Sequence, residues 1–203
     1  MPKKKVGVIL AGCGVFDGSE VTESVLTLLA LERNGLEPVC MAPDKPQLHV
    51  INHLTGETTS ESRNVLVEAA RIPRGNIQDI ATVQASELDA LVIPGGFGAA
   101  KNLTRFAVDG PTAEVDPETK RLVTEMAGAR KPLAFICIAP AIAAQVLGEQ
   151  GVEVTIGTDA DTAKAIESCG ARHIAKSVSE YHEDPERRVL STPAYMLGEG
   201  PLE

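Results

Sequence analysis

Short apolar runs and amphipathic helical stretches alternate along this chain from one end to the other. That alternation constrains the fold more than any other feature, because consecutive strand–helix units pack as a parallel sheet flanked by helices. Val6–Leu10, Glu37–Ala42, Ala90–Ile93 and Leu133–Ile136 read as strands. The most apolar of them run on without polar interruption, as expected where helices cover both faces. Helices are expected from about Ser19 to Arg33, over Asn64–Ile72, and from Asp116-Pro117 to about Ala129. Gly35 fits the end of the first, while aspartate followed by proline suits the start of the third. A fourth helix, alanine-rich, follows Leu133–Ile136, and a fifth runs from a Thr158 cap to Ser168. Leu48–Asn52 suits a short edge strand or hairpin, and short strands near His173–Lys176 and Arg187–Ser191 complete the pattern. With 203 residues and no repeat, linker or low-complexity segment, one α/β domain spanning residues 1–203 is expected.

Charge narrows the partners. A net charge of −9 argues against nucleic acid, which needs clustered lysine and arginine. Lys3, Lys4 and Lys5 form the only basic run and read as a solvated terminus. No apolar stretch approaches the length of a membrane span, and Val6–Ala11 is too short for a secretory leader core. The four cysteines, Cys13, Cys40, Cys137 and Cys169, are widely and irregularly spaced, without a metal-binding pattern. A reduced cytoplasmic setting is therefore the expectation.

The stretch Lys131–Leu147 carries the chemistry. An apolar strand ends at Ile136, Cys137 follows, and a helix begins. A residue at such a turn projects beside the N–H groups that open the helix, which is the geometry of a nucleophile elbow. The positive end of a helix lowers a thiol pKa, favouring the reactive thiolate. A buried core cysteine is the competing reading. Ligands in open α/β sheets gather at the carboxyl ends of strands, so the loops Gly12–Gly18, Pro94–Lys101 and Cys137–Pro140 are expected to meet. Pro94-Gly-Gly-Phe-Gly98 then supplies backbone donors for an oxyanion, together with the Ile138 N–H. Gly95, Phe97 and Cys13 are expected to line the pocket.

For the proton carrier, the first helix offers Glu20 and Glu23. Glu20, three residues after Asp17, resembles the second half of a capping box. Glu23 sits on a helix that is apolar around most of its circumference and therefore reads as largely buried; desolvation there would raise its pKa. Glu23 is the preferred acid–base group, with Glu20 and His53 as alternatives. His53 lies in a polar loop that reaches the site from its own chain or from a second subunit, or is simply solvated. Gly12, Gly14 and Gly18 imitate a dinucleotide fingerprint, but the last gap is three residues and no acidic residue ends the second strand, so that site is rejected.

Assembled, the chain resembles the PfpI-like branch of the class I glutamine amidotransferase-like superfamily, and within it the ElbB-type glyoxalases, once called isoprenoid biosynthesis proteins with an amidotransferase-like domain. The motifs are Gly12-Cys-Gly-Val-Phe-Asp-Gly-Ser-Glu20, Ala42-Pro-Asp-Lys45, Val50-Ile-Asn-His-Leu-Thr-Gly-Glu57, Pro94-Gly-Gly-Phe-Gly-Ala-Ala-Lys-Asn-Leu103, Cys137-Ile-Ala-Pro140 and Thr192-Pro-Ala-Tyr-Met-Leu197. The resemblance implies a flavodoxin-like three-layer sandwich, a homodimer, and a cysteine-dependent glyoxalase without cofactor or metal. Such an enzyme converts glyoxal to glycolate, with protein deglycation as a related activity. In that reading a small aldehyde adds to Cys137, and Gly96 and Ile138 N–H groups hold the oxyanion. Two departures stand out: Ile138 replaces the histidine that usually follows the elbow cysteine, and Ser191–Tyr195 lacks the downstream His-x-Glu pair. Glutamine hydrolysis is not expected. The chain ends at Glu203, short of the final helix of related proteins. A non-enzymatic redox sensor or regulatory binding protein, built on an oxidisable Cys137, is the alternative function.

Overall fold

A computed structural model describes residues 2–199, so Glu203 lies outside the described residues. In chain order the elements are β1 (Lys5–Ile9), α1 (Val21–Arg33), β2 (Glu37–Ala42), α2 (Val65–Ala69), β3 (Gln78–Asp79), β4 (Ala90–Ile93), α3 (Phe106–Asp109), α4 (Pro117–Gly128), β5 (Leu133–Ile136), α5 (Pro140–Leu147), β6 (Glu153–Val154), α6 (Ala160–Ser168), β7 (Arg172–His173), β8 (His182–Asp184) and β9 (Val189–Thr192). Seven strands form one sheet in the order β3-β2-β1-β4-β5-β9-β8. All neighbours are parallel except the β8–β9 pair. Strands β6 and β7 pair separately.

Two apolar layers cover the sheet, giving the three-layer flavodoxin-like sandwich. Val6, Val8 and Leu10 point into the layer completed by Leu28 and Leu31 of α1 and Val65 and Ala69 of α2. The intervening Ile9 faces the opposite layer, with Leu91, Ile93, Leu133 and Phe135, under α4 and α5. This is the period-two alternation of a strand buried on both sides. Strand order reverses between β1 and β4, leaving a crevice beyond their carboxyl ends where ligands characteristically bind.

Several local expectations need correction. Asp17 does not begin the first helix. Glu20 is its N-cap, accepting from the Glu23 N–H, while the Asp17 carboxylate accepts from the Ile51 N–H at 2.6 Å. Nor is α1 largely buried: Glu23 and Ser24 are its buried residues, whereas Val21, Val25, Leu26 and Leu29 are exposed. Only its Leu28 and Leu31 flank reaches the core, because the outer flank has no neighbouring element to cover it. Helix α2 stops at Ala69 rather than Ile72, since Pro73 follows and the chain turns. Residues 48–52 form no strand; a single antiparallel bridge, Ile51 to Thr58, closes a turn. Asp159, not Thr158, caps α6, accepting from the Thr162 N–H.

Candidate active site

The crevice is filled by three loops stitched together through their backbones. Phe97 N–H donates to the Val15 carbonyl, Gly98 N–H to Gly18, and Glu20 N–H to Gly95, all at 2.7–2.9 Å. Gly96 has φ +93°, and an added Cβ would lie 2.4 Å from the Glu20 nitrogen, so only glycine allows this approach. A Cβ on Gly95 would meet the Cys137 Cβ at 2.4 Å and a Glu23 carboxylate oxygen at 2.7 Å. The missing side chain is what lets the thiol and the carboxyl converge. Behind them, the buried Asn102 donates to the carbonyls of Ala11 and Asp17 and accepts from the Leu48 N–H, tying three segments together.

Cys137 follows β5 directly and adopts φ +62°, rare for a residue with a Cβ and costing roughly 1–3 kcal/mol. That strained turn sets its sulfur against Gly95, while its own N–H is held by the Thr192 carbonyl of β9 at 2.9 Å. The backbone N–H groups of Gly96 and Ile138 lie beside the sulfur and favour its charged form. The expectation of a thiol acidified by the helix start is corrected. Cys137 is 8% exposed, and desolvation followed by the neighbouring Glu23 charge pushes its pKa up to about 12, overriding the two N–H donors. Pro140 begins α5 three residues beyond the cysteine, so the helix terminus is not the dominant influence on it.

Glu23 occupies the first turn of α1 and is buried. Its Oε2 accepts from Gly95 N–H at 2.8 Å and its Oε1 from Tyr195 N–H at 3.3 Å, and its carboxyl sits with the Cys137 sulfur against Gly95. Desolvation raises its pKa to about 7 against these donors, with the Glu20 charge adding to the rise. Three separate elements thus orient one carboxyl toward one sulfur.

Cys137 opens onto a cavity of about 280 Å³ lined also by Val15, Glu20, Gly96, Phe97, Ile138, Tyr195 and Met196. Gly95 lies just behind it. Cys13 is not among the lining residues; burial raises its pKa too, opposed by the positive charge of Arg71. His53 likewise stays outside the lining. Its ring stacks on Phe16 at 4.9 Å, its Nε2 accepts from Phe16 N–H at 3.3 Å, and its Nδ1 faces the Ile51 carbonyl at 3.1 Å. Those partners match the tautomer protonated at Nδ1 and assign His53 to shaping the Gly12–Gly18 loop. Among the described residues, no cluster of three His, Cys, Asp or Glu side chains is placed to hold a metal ion, and no helix is long and apolar enough to cross a membrane. Tyr195, Met196, Val15 and Asn102 escaped sequence reasoning as site residues. The first two arrive through the β5–β9 pairing, which brings residues nearly sixty positions apart together; the Thr192–Leu197 motif holds both without saying what it lies against.

No family model matches the chain. A rat protein described as an ES1 protein homolog, mitochondrial, is 47% identical, covering 96% of this chain and 76% of the relative. The human glutamine amidotransferase-like class 1 domain-containing protein 3, mitochondrial, is 48% identical with the same coverage. Among solved structures, an isoprenoid biosynthesis protein with amidotransferase-like domain from Ehrlichia chaffeensis superposes with a TM-score of 0.89 and 40% identity, covering 97% of this chain and 90% of that one. A DJ-1 superfamily protein from Salmonella typhimurium shares the fold at a TM-score of 0.58 and 22% identity, covering 93% and 80%. The expected cytoplasmic location is overturned. The curated relatives are named as mitochondrial proteins, and the composition of a folded domain does not encode its compartment.

Proposed function

The chain belongs to the ES1 family of class I glutamine amidotransferase-like proteins, and on that premise we propose that it is a cofactor-independent glyoxalase acting through Cys137. The observation that carries this reading is the convergence of Glu23 and Cys137 on Gly95, a carboxyl with a pKa of about 7 beside a thiol that does not ionise by itself at neutral pH. A base matched to the operating pH is what proton transfer from a reluctant nucleophile requires. The Glu23 carboxylate takes the thiol proton as sulfur adds to one aldehyde carbon of glyoxal. The resulting alkoxide is held by the Gly96 and Ile138 N–H groups and then protonated, giving a hemithioacetal. Glu23 next removes the proton on the sulfur-bearing carbon, forming an enediol, and the neighbouring carbon is reprotonated. The product is the glycolyl thioester of Cys137. Water attacks its carbonyl, the C–S bond breaks, the thiol regains a proton, and glycolate leaves. The same steps on aldehyde adducts of side chains would amount to deglycation.

A sensing cysteine needs an exposed thiolate, whereas Cys137 is buried and its thiol is held protonated. The redox reading therefore has no observation in its favour. Cys137→Ala should abolish glyoxal consumption while leaving the circular dichroism spectrum unchanged; turnover equal to the parent protein would sink the mechanism. We also propose a homodimer, supported by the uncovered Val21, Val25, Leu26 and Leu29 on α1.

A further inference from the structure

A second cleft, of about 250 Å³, opens where the end of α4 meets the β8–β9 turn, and Arg130, Arg187 and Arg188 line it beside Gln150 and Glu186. The Leu133 N–H donates to the Arg188 carbonyl at 3.0 Å, which sets the cleft at the amino ends of β5 and β9. Cys137 lies beyond the opposite end of β5. Arginines of this acidic chain are ordinarily neutralised: Arg63, Arg71, Arg105, Arg121 and Arg172 each pair with a carboxylate. Arg187 does so too, meeting Asp184 at 3.2 Å and the exposed Glu186 at 3.3 Å. Among the described residues, no carboxylate pairs with Arg130 or Arg188.

Part of this charge serves the fold, because cations offset the carbonyl ends of helices. Arg187 Nε donates to the Gln150 carbonyl at 2.6 Å, and Arg188 Nη1 to the Arg130 carbonyl at 3.1 Å. A guanidinium carries a whole fork of donors, so one contact leaves most of the Arg188 fork uncommitted. Both residues also sit where the backbone favours glycine. Beyond the Ala129 C-cap of α4, the Arg130 N–H donates to the Ala127 carbonyl and the Lys131 N–H to that of Met126, a helix ending that usually takes glycine at the position of Arg130. Its φ is +53°, and that of Arg188, which closes the β8–β9 turn, is +57°. Glycine or asparagine would adopt either conformation more readily. Arginine at both positions points to an interaction that the folded chain does not itself supply.

We infer that this cleft binds a phosphate group, carried by inorganic phosphate or by a small phosphate ester. Planar guanidinium forks match the oxygens of a phosphate in pairs, and two uncommitted arginines match its double negative charge. A monocarboxylate brings a single charge and is the weaker ligand. The cleft is smaller than the ~300–1,000 Å³ of pockets for drug-sized ligands, which limits an ester to a short chain.

Isothermal titration of the parent protein with inorganic phosphate, glycerol phosphate and acetate, at matched ionic strength, tests the site without reference to the chemistry of Cys137. Saturable binding of phosphate is expected, with acetate about tenfold weaker or more. Arg130→Gly and Arg188→Gly should each weaken phosphate binding about tenfold, and the double variant should lose it. Glycine fits both backbone positions, so the circular dichroism spectrum should stay unchanged and the loss reports the side chains. Binding of inorganic phosphate alone names free phosphate as the ligand, whereas tighter binding of glycerol phosphate names the ester. Absence of saturable binding by both overturns the inference, as does binding undiminished in the double variant.

Discussion

Glu23 and Cys137 oppose each other's ionisation, and this sets the pH behaviour of the site. The carboxyl pKa is raised by desolvation to about 7 and the thiol by desolvation and the Glu23 charge to about 12, so across neutral pH the group that titrates is Glu23. Alkylation of Cys137 by iodoacetamide should therefore rise as pH increases through about 7, because the carboxylate is the form that accepts the thiol proton. In Glu23→Gln that step should disappear, leaving a monotonic rise at high pH; an unchanged step would assign the base elsewhere, to Glu20 first. The same group couples pH to stability. A carboxyl whose folded pKa lies above its unfolded value binds more protons when folded. Its contribution is complete below the unfolded value of 4.5 and is lost as pH rises through about 7. The loss amounts to about 3 kcal/mol for this group. Denaturant midpoints at pH 4.5 and pH 8.5 should reveal that decline in the parent protein and its absence in Glu23→Gln.

Among elements, the catalytic geometry depends on how the loops at the strand ends are clamped. Asn102 is the clamp, with both ends of one amide bonded to three backbone groups and its side chain buried. Asn102→Ala should cost about 2–4 kcal/mol, because it strands buried carbonyls as well as removing bonds. Chemical denaturation measures the loss, and reduced turnover should accompany it as the Gly12–Gly18 loop loosens. The bounds of β1, β2, β4 and β5 were legible to within a residue, since continuous apolar runs bounded by Pro94 and Cys137 have few alternatives. The two-residue β3 and the three-residue β8 carried too few residues to show a period. Helix caps were misplaced for a related reason. Asp17 and Thr158 have side chains suited to capping, but competing partners and the exact entry angle of the backbone determine which polar residue takes the role.

For the molecule as a whole, the uncovered side of α1 is the clearest unfinished surface. Val21, Val25, Leu26 and Leu29 stand close together along the helix, and packing the same face of a second chain on it would bury them. Light scattering should report a mass of two chains, and Val25→Glu with Leu26→Glu should shift it to one; a monomeric parent protein would refute the homodimer. Sequence alone established the parallel α/β sandwich, the elbow position of Cys137 and the glycine loop beside it. Each of these follows from local rules: apolar runs of strand length, a cysteine between strand and helix, and glycines where a backbone must approach closely. What only the tertiary structure decided is the state of the site. Whether the thiol is acidified by N–H donors or suppressed by burial depends on how much protein closes over it, and desolvation won. Whether His53 reaches the sulfur depends on a loop path, and it turned to Phe16 instead. Tyr195 and Met196 enter the pocket because β9 pairs with β5, a contact between distant parts of the chain to which each segment's own residues give no clue.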